Sequence, residues 1–299
     1  MNQSKKLIFF GNERLATGVS ASNTPVLQSL IDEGYDITAI VANFETPSSR
    51  SARGLEIAQT AKNHNLPLLT PGRLLDIKPK LMACNAEAGV LVAYGKIIPA
   101  EIIDLFPRGI INLHPSLLPK YRGPTPLESV ILDGAGQTGV SLMQLSPKMD
   151  AGGLFAQATV GLSGSETKQE LADKLLLLGR DLLIEHLDSI LEDTTPPSPQ
   201  DDLQATYCKL INKVDGKLNW ADSAQKIERE VRAYAGWPKS QAEVFGQQVI
   251  ITKSRVAKDE SDGALVQKCG KGWLEITQLI APSGREVSGA DFILGYRKK

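Results

Sequence analysis

Residues 89–114 read Gly-Val-Leu-Val-Ala, then Tyr-Gly-Lys-Ile-Ile, then Pro-Ala-Glu-Ile-Ile-Asp-Leu-Phe, and after Pro-Arg they close on Gly-Ile-Ile-Asn-Leu-His. Gly89–Ala93 is a short unbroken apolar run, and Gly109–Leu113 is apolar but for Asn112. Between them Pro99–Phe106 places its proline in the first turn, where a helix tolerates it. Strands that are apolar throughout, rather than alternating, suit a sheet covered on both faces. A strand–helix–strand order then implies parallel strands joined by right-handed crossovers.

The same rhythm runs upstream. Lys6–Gly11, Asp36–Ala42 and Leu66–Leu69 read as strands, and Thr24–Glu33, Leu55–His64 and Lys78–Asn85 as helices. The pattern predicts a doubly wound, Rossmann-like α/β domain. Downstream, Gly139–Leu145 and Leu154–Gly161 read as two more strands. Glu166–Leu191 reads as a long helix with Leu171, Leu175, Leu178, Leu182 and Ile190 on one apolar face. Glu192–Leu203 carries Pro196, Pro197 and Pro199 among polar residues and reads as a stiff, extended linker. Beyond it come one helix, Ala224–Tyr234, and short β-rich pieces at Gln241–Phe245, Gln248–Lys253, Ala264–Lys268 and Gly272–Thr277, separated by turn residues. This texture predicts a small antiparallel, OB-like barrel. The expected organisation is a first domain over 1–191, a linker over 192–204 and a second domain over 205–299.

Composition narrows the function classes. The chain has 299 residues, 42% hydrophobic and 22% charged, as an ordinary globular protein does. No apolar run approaches the roughly 18 residues of a membrane helix, and the N-terminus has no secretory leader pattern. The three cysteines, Cys84, Cys208 and Cys269, are far apart and fit neither a disulfide framework nor a metal site. A cytoplasmic protein without a metal is expected. The net charge of −1 conceals an asymmetry: from residue 206 onward there are 16 Lys and Arg against 11 Asp and Glu, a net of +5, which leaves −6 for the rest. A basic second domain points toward a polyanionic partner.

Residues 109–153 carry the candidate chemistry. Asn112 and His114 lie two apart at the end of a strand, so both side chains share a face. The C-terminal ends of parallel strands are where open α/β sheets bind ligands. An amide and an imidazole projecting together suit polarisation of a carbonyl and transfer of a proton. Asp150, in the turn Asp-Ala-Gly-Gly, is placed to orient the imidazole. Taken singly, each of these residues also fits an ordinary turn.

The ordered run Asn112-Leu-His114-Pro-Ser116-Leu117-Leu118-Pro119, then Arg122-Gly123, then Asp150-x-Gly152, resembles the signature of folate-dependent formyltransferases. The resemblance implies a catalytic trio of Asn112, His114 and Asp150. It implies a folate-contacting turn over Ser116, Leu117, Leu118 and Pro119, and a pterin-pocket hinge containing Tyr94, Gly95 and Ile98. The donor implied is 10-formyltetrahydrofolate. The segments Ala205–Leu210, Gly216–Trp220 and Glu228–Pro238 are similar to the C-terminal module of the family's tRNA-formylating members. Together with the basic excess, that similarity implies initiator methionyl-tRNA as acceptor, a role in translation initiation and a monomeric enzyme. Arg50 and Arg53, in a loop that reaches the acceptor end in such enzymes, and Lys209, Arg229 and Arg232 are the implied tRNA contacts. Two other readings stand beside this one: a formyltransferase acting on an amino sugar nucleotide, and a non-catalytic module that binds folate or RNA. The chain departs from the family pattern after Gly11-Asn12-Glu13, where Arg14–Asn23 precede the first helix.

Overall fold

The computed structural model describes residues 5–20, 24–43 and 56–296. The chain divides into two compact units. The first comprises residues 1–126, 137–161 and 172–209, and the second 127–136, 162–171 and 210–299.

The first unit is built on a seven-stranded sheet in the order β3-β2-β1-β4-β5-β6-β7. Its strands are β1 (Lys6–Gly11), β2 (Asp36–Val41), β3 (Leu68–Leu69), β4 (Ala88–Val92), β5 (Ile110–His114), β6 (Gln137–Gln144) and β7 (Leu154–Gly161). The first five are parallel, as the apolar runs predict. The last two are not: β6 runs antiparallel to β5, and β7 antiparallel to β6. The short connection from β6 to β7 accounts for the direction of β7, since a parallel return needs a crossover of a dozen or more residues. β7 alternates half-buried and exposed positions, as a strand with one wet face does.

Helices α1 (Pro25–Asp32), α2 (Glu56–Asn63), α3 (Lys78–Ala83) and α4 (Ala100–Ile103) follow the predicted places. A further helix, α5 (Pro126–Asp133), lies in the segment that carries the signature. The long helix α6 (Lys168–Leu191) buries Leu171, Leu175, Leu182 and Ile190, with Leu183 and Leu187 widening the stripe. It meets β5 at Gly179, where an added Cβ would lie 2.6 Å from the Leu113 side chain. Leu113 therefore faces α6, and the period-two alternation turns Asn112 and His114 to the other face.

The segment with the linker composition is extended but not loose. Leu154 and Ser198 exchange two backbone hydrogen bonds, at 2.7 and 2.8 Å, so the proline-rich segment is pinned at Ser198 to the first unit's sheet edge. Prolines, which cannot serve the middle of a sheet, are admissible on such an edge.

In the second unit β8 (Ser240–Val244), β9 (Gln247–Ala257), β10 (Val266–Lys268), β11 (Trp273–Ile280) and β12 (Glu286–Ser288) form a curled antiparallel sheet. Its order is β10-β11-β9-β8, with β12 paired to β11. Helices α7 (Ala224–Ala233) and α8 (Gly289–Tyr296) complete it. The unit is a half-barrel around Val231, Ile251, Ile276, Leu279 and Phe292. Its core includes a buried ion pair. The Lys168 ammonium, with a side chain 0% exposed, sits 3.3 Å from the Glu128 carboxylate and donates to the Trp237 carbonyl at 2.8 Å. Burial pulls the Lys168 pKa down and pushes the Glu128 pKa up.

Glu13 joins the fold of the first unit to its ligand-facing end. Its carboxylate accepts from the Val26 and Leu27 N–H groups at 2.9 and 2.8 Å, which satisfies two orphan donors at the start of α1. Its own N–H donates to the Val92 carbonyl at the end of β4. Burial outweighs the two N–H donors and pushes the Glu13 pKa from 4.5 to about 7. The folded value exceeds the unfolded one, so stability linked to this carboxyl is fullest below about pH 4.5 and declines as the pH rises through 7. Between pH 4.5 and 8 we expect the unfolding free energy of the native chain to fall by up to about 3 kcal/mol more than that of Glu13→Ala, measured by urea titration. Parallel curves for the two proteins would show that the carboxyl titrates normally.

Candidate active site

A cavity of about 470 Å³ opens at the C-terminal ends of β1, β4 and β5. Its wall takes Arg14–Thr17 from beyond β1, Ala93–Ile98 from beyond β4, Asn112–Pro115 from the end of β5, and Leu145–Pro147 with Met149 and Asp150 from beyond β6. Chain placement thus brings all three members of the predicted trio to one cavity. Tyr94, Gly95 and Ile98 line it too. Tyr94 and Ile98 are buried, and the Phe10 ring meets Tyr94 edge-on at 6.0 Å. Ala93 and Gly95 both have positive φ (53° and 75°), so the hinge presents its backbone at tight turns.

Asn112 is 6% exposed, yet among the described residues its side-chain amide takes part in no hydrogen bond. A buried amide bordering a cavity without a protein partner is a donor held ready for something else, since native buried polar groups are otherwise paired. His114, 5% exposed, has its Nε2 3.1 Å from the Tyr121 carbonyl oxygen. A carbonyl only accepts, so Nε2 carries a proton and Nδ1 is the nitrogen that exchanges one. Nδ1 lies 3.8 Å from Asp150 Oδ2, too long for a direct hydrogen bond and close enough for an ion pair. Contacts of this kind commonly tighten when substrate binds.

Asp150 stands at φ +46°, in the left-handed region. Its Oδ2 accepts from the Gly123 N–H at 2.7 Å. Two residues on, Gly152 packs against the end of β6, where any Cβ would collide with the Gln144 carbonyl. The glycine of Asp-x-Gly is thus required by close approach, which brings the turn back beside β5. Gln200 Nε2 donates to the Asp150 and Gly152 carbonyls at 2.9 and 2.7 Å. Gln200 Oε1 accepts from Arg122 Nε and Nη2 at 3.1 and 2.8 Å. The Arg122 side chain is 0% exposed and also meets the Tyr207 hydroxyl at 3.1 Å and the Asp202 carboxylate at 2.8 Å.

The predicted folate turn is placed differently. Ser116, Leu117, Leu118 and Pro119 are not among the residues that line the cavity; the loop borders it before them at Pro115 and again after them at Gly123 and Pro124. Ser116 and Leu118 are buried, and Ser116 Oγ donates to the Lys120 carbonyl at 2.7 Å. The loop is tied down by Ser141 of β6, whose Oγ accepts from the Leu118 N–H and Gln157 Nε2 and donates to the Ser116 carbonyl. The apolar Leu-Leu pair explains the difference: it turns toward β6 rather than into the opening, with the Leu117 side chain against Gly139.

Of the predicted RNA contacts, Arg50 and Arg53 lie outside the described residues. Lys209 is exposed. Arg229 is half-buried and donates to the Asp133 carbonyl at 3.3 Å. Arg232 is committed within the second unit, forking onto Glu228 at 2.6 and 3.0 Å and donating to the Glu166 carbonyl at 2.9 Å. The Glu228–Arg232 spacing of four on a helix is the signal that foretells this pairing. Arg14, Leu15, Ala16 and Thr17 were given no role from the sequence, yet they wall the cavity. Arg14 is fastened to Glu56 at 2.6 Å. The available signal was position: the segment directly follows a parallel strand's C-terminal end.

Comparison with known proteins adds to this geometry. The family described as formyl transferase matches residues 15–187, and the formyl transferase C-terminal domain matches residues 210–297. The methionyl-tRNA formyltransferase of Chloroflexus aurantiacus is 35% identical, over 97% of this chain and 96% of that protein. Among solved structures, HypX from Aquifex aeolicus in complex with tetrahydrofolic acid superposes with a TM-score of 0.67 at 15% identity. That likeness covers 98% of this chain, which spans 47% of HypX. The N-formyltransferase from Helicobacter canadensis, in complex with folinic acid and dTDP-3-aminofucose, has a TM-score of 0.68 at 17% identity, over 93% of this chain and 94% of that one. At these identities the two structures share the fold.

The Ser141 hydroxyl uses its one donor and both acceptor positions. Ser141→Ala leaves a buried N–H and a buried carbonyl unpaired at the Ser116–Pro119 loop. A loss of about 2–6 kcal/mol in unfolding free energy is expected in urea titration, at roughly 1–3 kcal/mol for each of the two unpaired groups. A loss below about 0.5 kcal/mol would mean that the loop is held by packing instead.

Proposed function

This chain belongs to the formyl transferase family, and on that premise we propose that it transfers the formyl group of 10-formyltetrahydrofolate to the amino group of methionine carried by initiator tRNA. The observation that carries the reading is the unpartnered, buried Asn112 amide beside the His114–Asp150 pair in a cavity of folate-accommodating size. The near full-length similarity to a methionyl-tRNA formyltransferase supports the acceptor, as does the net positive charge of residues 206–299. Transfer of this kind serves translation initiation, and we place it in the cytoplasm, carried out by a monomer.

The residues of the cavity fit the donor. Tyr94, Gly95 and Ile98 would hold the pterin ring, with backbone groups of the hinge facing its edge and apolar side chains its faces. When bound, the folate supplies a formyl carbonyl at N10. Asn112 donates an amide hydrogen bond to the formyl oxygen as negative charge grows there, which a pre-aimed donor in a dry site stabilises strongly. The amine nitrogen bonds to the formyl carbon and the bond to N10 breaks. Asp150 accepts the proton lost by the amine, His114 Nδ1 shares it, and it leaves with N10. The Nε2–H bond to the Tyr121 carbonyl keeps the ring in the orientation this relay needs. Lys209 and Arg229, with Arg50 and Arg53, are assigned to tRNA phosphates. Arg232 contributes less, because it would first have to leave Glu228.

The test is formyl transfer by purified protein from 10-formyltetrahydrofolate, with methionyl-initiator tRNA and an amino sugar nucleotide in competition. Formyl label is expected in the acid-precipitable tRNA. Label only in the sugar would overturn the acceptor, and label in neither would favour the non-catalytic binding module. Asn112→Ala is expected to lower kcat by about 10²–10³ without loss of fold. The KM for tRNA should rise steeply between 50 and 200 mM salt, as expected of a ligand held through phosphates. A KM flat in salt would remove the basic surface from the account.

A further inference from the structure

We propose that Gln200 is a positioning residue for Asp150, and that its side-chain amide, oriented by the buried guanidinium of Arg122, holds the Asp150–Gly152 turn in its reactive place. The inference rests on the functional reading above.

The orientation of the amide follows from chemistry. Arginine has only donors, so the group facing Arg122 Nε and Nη2 must be the Gln200 oxygen. Both amide hydrogens then point the other way, to the Asp150 and Gly152 carbonyls. Two bonds in and two bonds out saturate the side chain. The bonds of Arg122 to Tyr207 and Asp202 keep the guanidinium in place. Its backbone is held as well: the Arg122 N–H donates to the Thr206 carbonyl at 2.9 Å, and the Cys208 N–H donates to the Arg122 carbonyl at 2.7 Å.

Asp150 needs such restraint. A non-glycine residue at φ +46° occupies a sparsely populated conformation. Such conformations persist where the surroundings over-determine them. Here the restraint comes from two neighbouring residues by two routes. Gly123 fixes the carboxylate by its N–H, and Arg122 fixes the backbone of the same turn through Gln200. If the second route is cut, the carboxylate loses its register with His114 Nδ1 although every member of the trio remains.

Gln200→Glu separates this role from simple filling of space. The substitution is isosteric, but it sets a carboxylate oxygen against two carbonyl oxygens. Gln200→Met keeps the length and removes all polar atoms. For both we expect kcat to fall about 10- to 100-fold, with KM for tRNA and for the folate within about twofold and the melting temperature showing a folded protein. In an Asp150→Asn background, Gln200→Glu should cost less than twofold more, because a residue acting through Asp150 has nothing left to position. Wild-type kcat in both single variants, or losses that multiply in the double variant, would overturn the proposal. Hydrogen exchange provides a readout independent of turnover: the Gly123 amide, which donates to Asp150, should exchange at least 10-fold faster in Gln200→Met. If the native protein formylates no tRNA, the functional reading fails, and the exchange result alone still decides whether Gln200 holds the turn. Unchanged Gly123 protection would refute it.

Discussion

The phase of β5 is the constraint on which the site depends. Gly179 leaves room in α6 for the Leu113 side chain and for little else. With Leu113 committed to that contact, the strand cannot slip by one residue without driving Asn112 and His114 into the helix and exposing Leu113 to the cavity. Burial of an ordinary leucine therefore aims two polar groups. The pairing of His114 with Ser141 and of Asn112 with Met143 across to β6 holds the same phase from the side. The antiparallel return of β6 also brings the chain back toward Asp150.

The polar groups of the site are satisfied unequally, and the inequality is informative. Ser141, Gln157, Gln200 and Arg122 are engaged in named hydrogen bonds. They form a rigid frame whose members are costly to remove, since each would orphan a buried partner. Asn112 stands apart inside that frame. A protein that pairs its framework polar groups but leaves one amide unpaired at a cavity keeps a hydrogen-bonding group there for a ligand, as the proposed mechanism requires. Positioned dipoles of this kind need no reorganisation during reaction.

How much of this could be read from the residues depended on range. The parallel core was legible because each strand is a local apolar run and each helix a local periodicity. Asn112 and His114 were legible as a pair because two positions on a strand share a face whatever the tertiary structure. The direction of β6 and β7 was not, since apolar composition is the same for either direction. The tie of the Ser116–Pro119 turn to Ser141 and Gln157 was not legible, because it spans more than 20 residues. Helix α5 was hidden by the prolines that precede it, and β12 and α8 by the shortness of the pieces. Residues 192–204 read as a linker on proline content alone. Nothing local says that Ser198 meets Leu154, or that Gln200 reaches across 50 positions to Asp150.

The departure from the family pattern after Glu13 acquires a physical meaning by the same reasoning. Glu13 satisfies the start of α1 with its carboxylate and the end of β4 with its N–H, so the residue after it leaves from a fixed point. Arg14 is then tied to Glu56 by its side chain and to Asn12 by its N–H at 2.9 Å. Leu15 is buried, and the wall formed by residues 14–17 faces the cavity with little freedom. The stretch after Glu13 thus begins as a restrained segment. A stretch anchored by Glu13 just before it and by Arg14 at its start can change the shape of a ligand site without disturbing the sheet, because the anchoring groups, a carboxylate on helix N–H groups and an ion pair, draw nothing from the β-ladder. The opposite wall, Asn112 to Pro115, is fixed by α6 and β6, so the β1 side is one place where what this cavity accepts can vary without moving the Asn112–His114 pair.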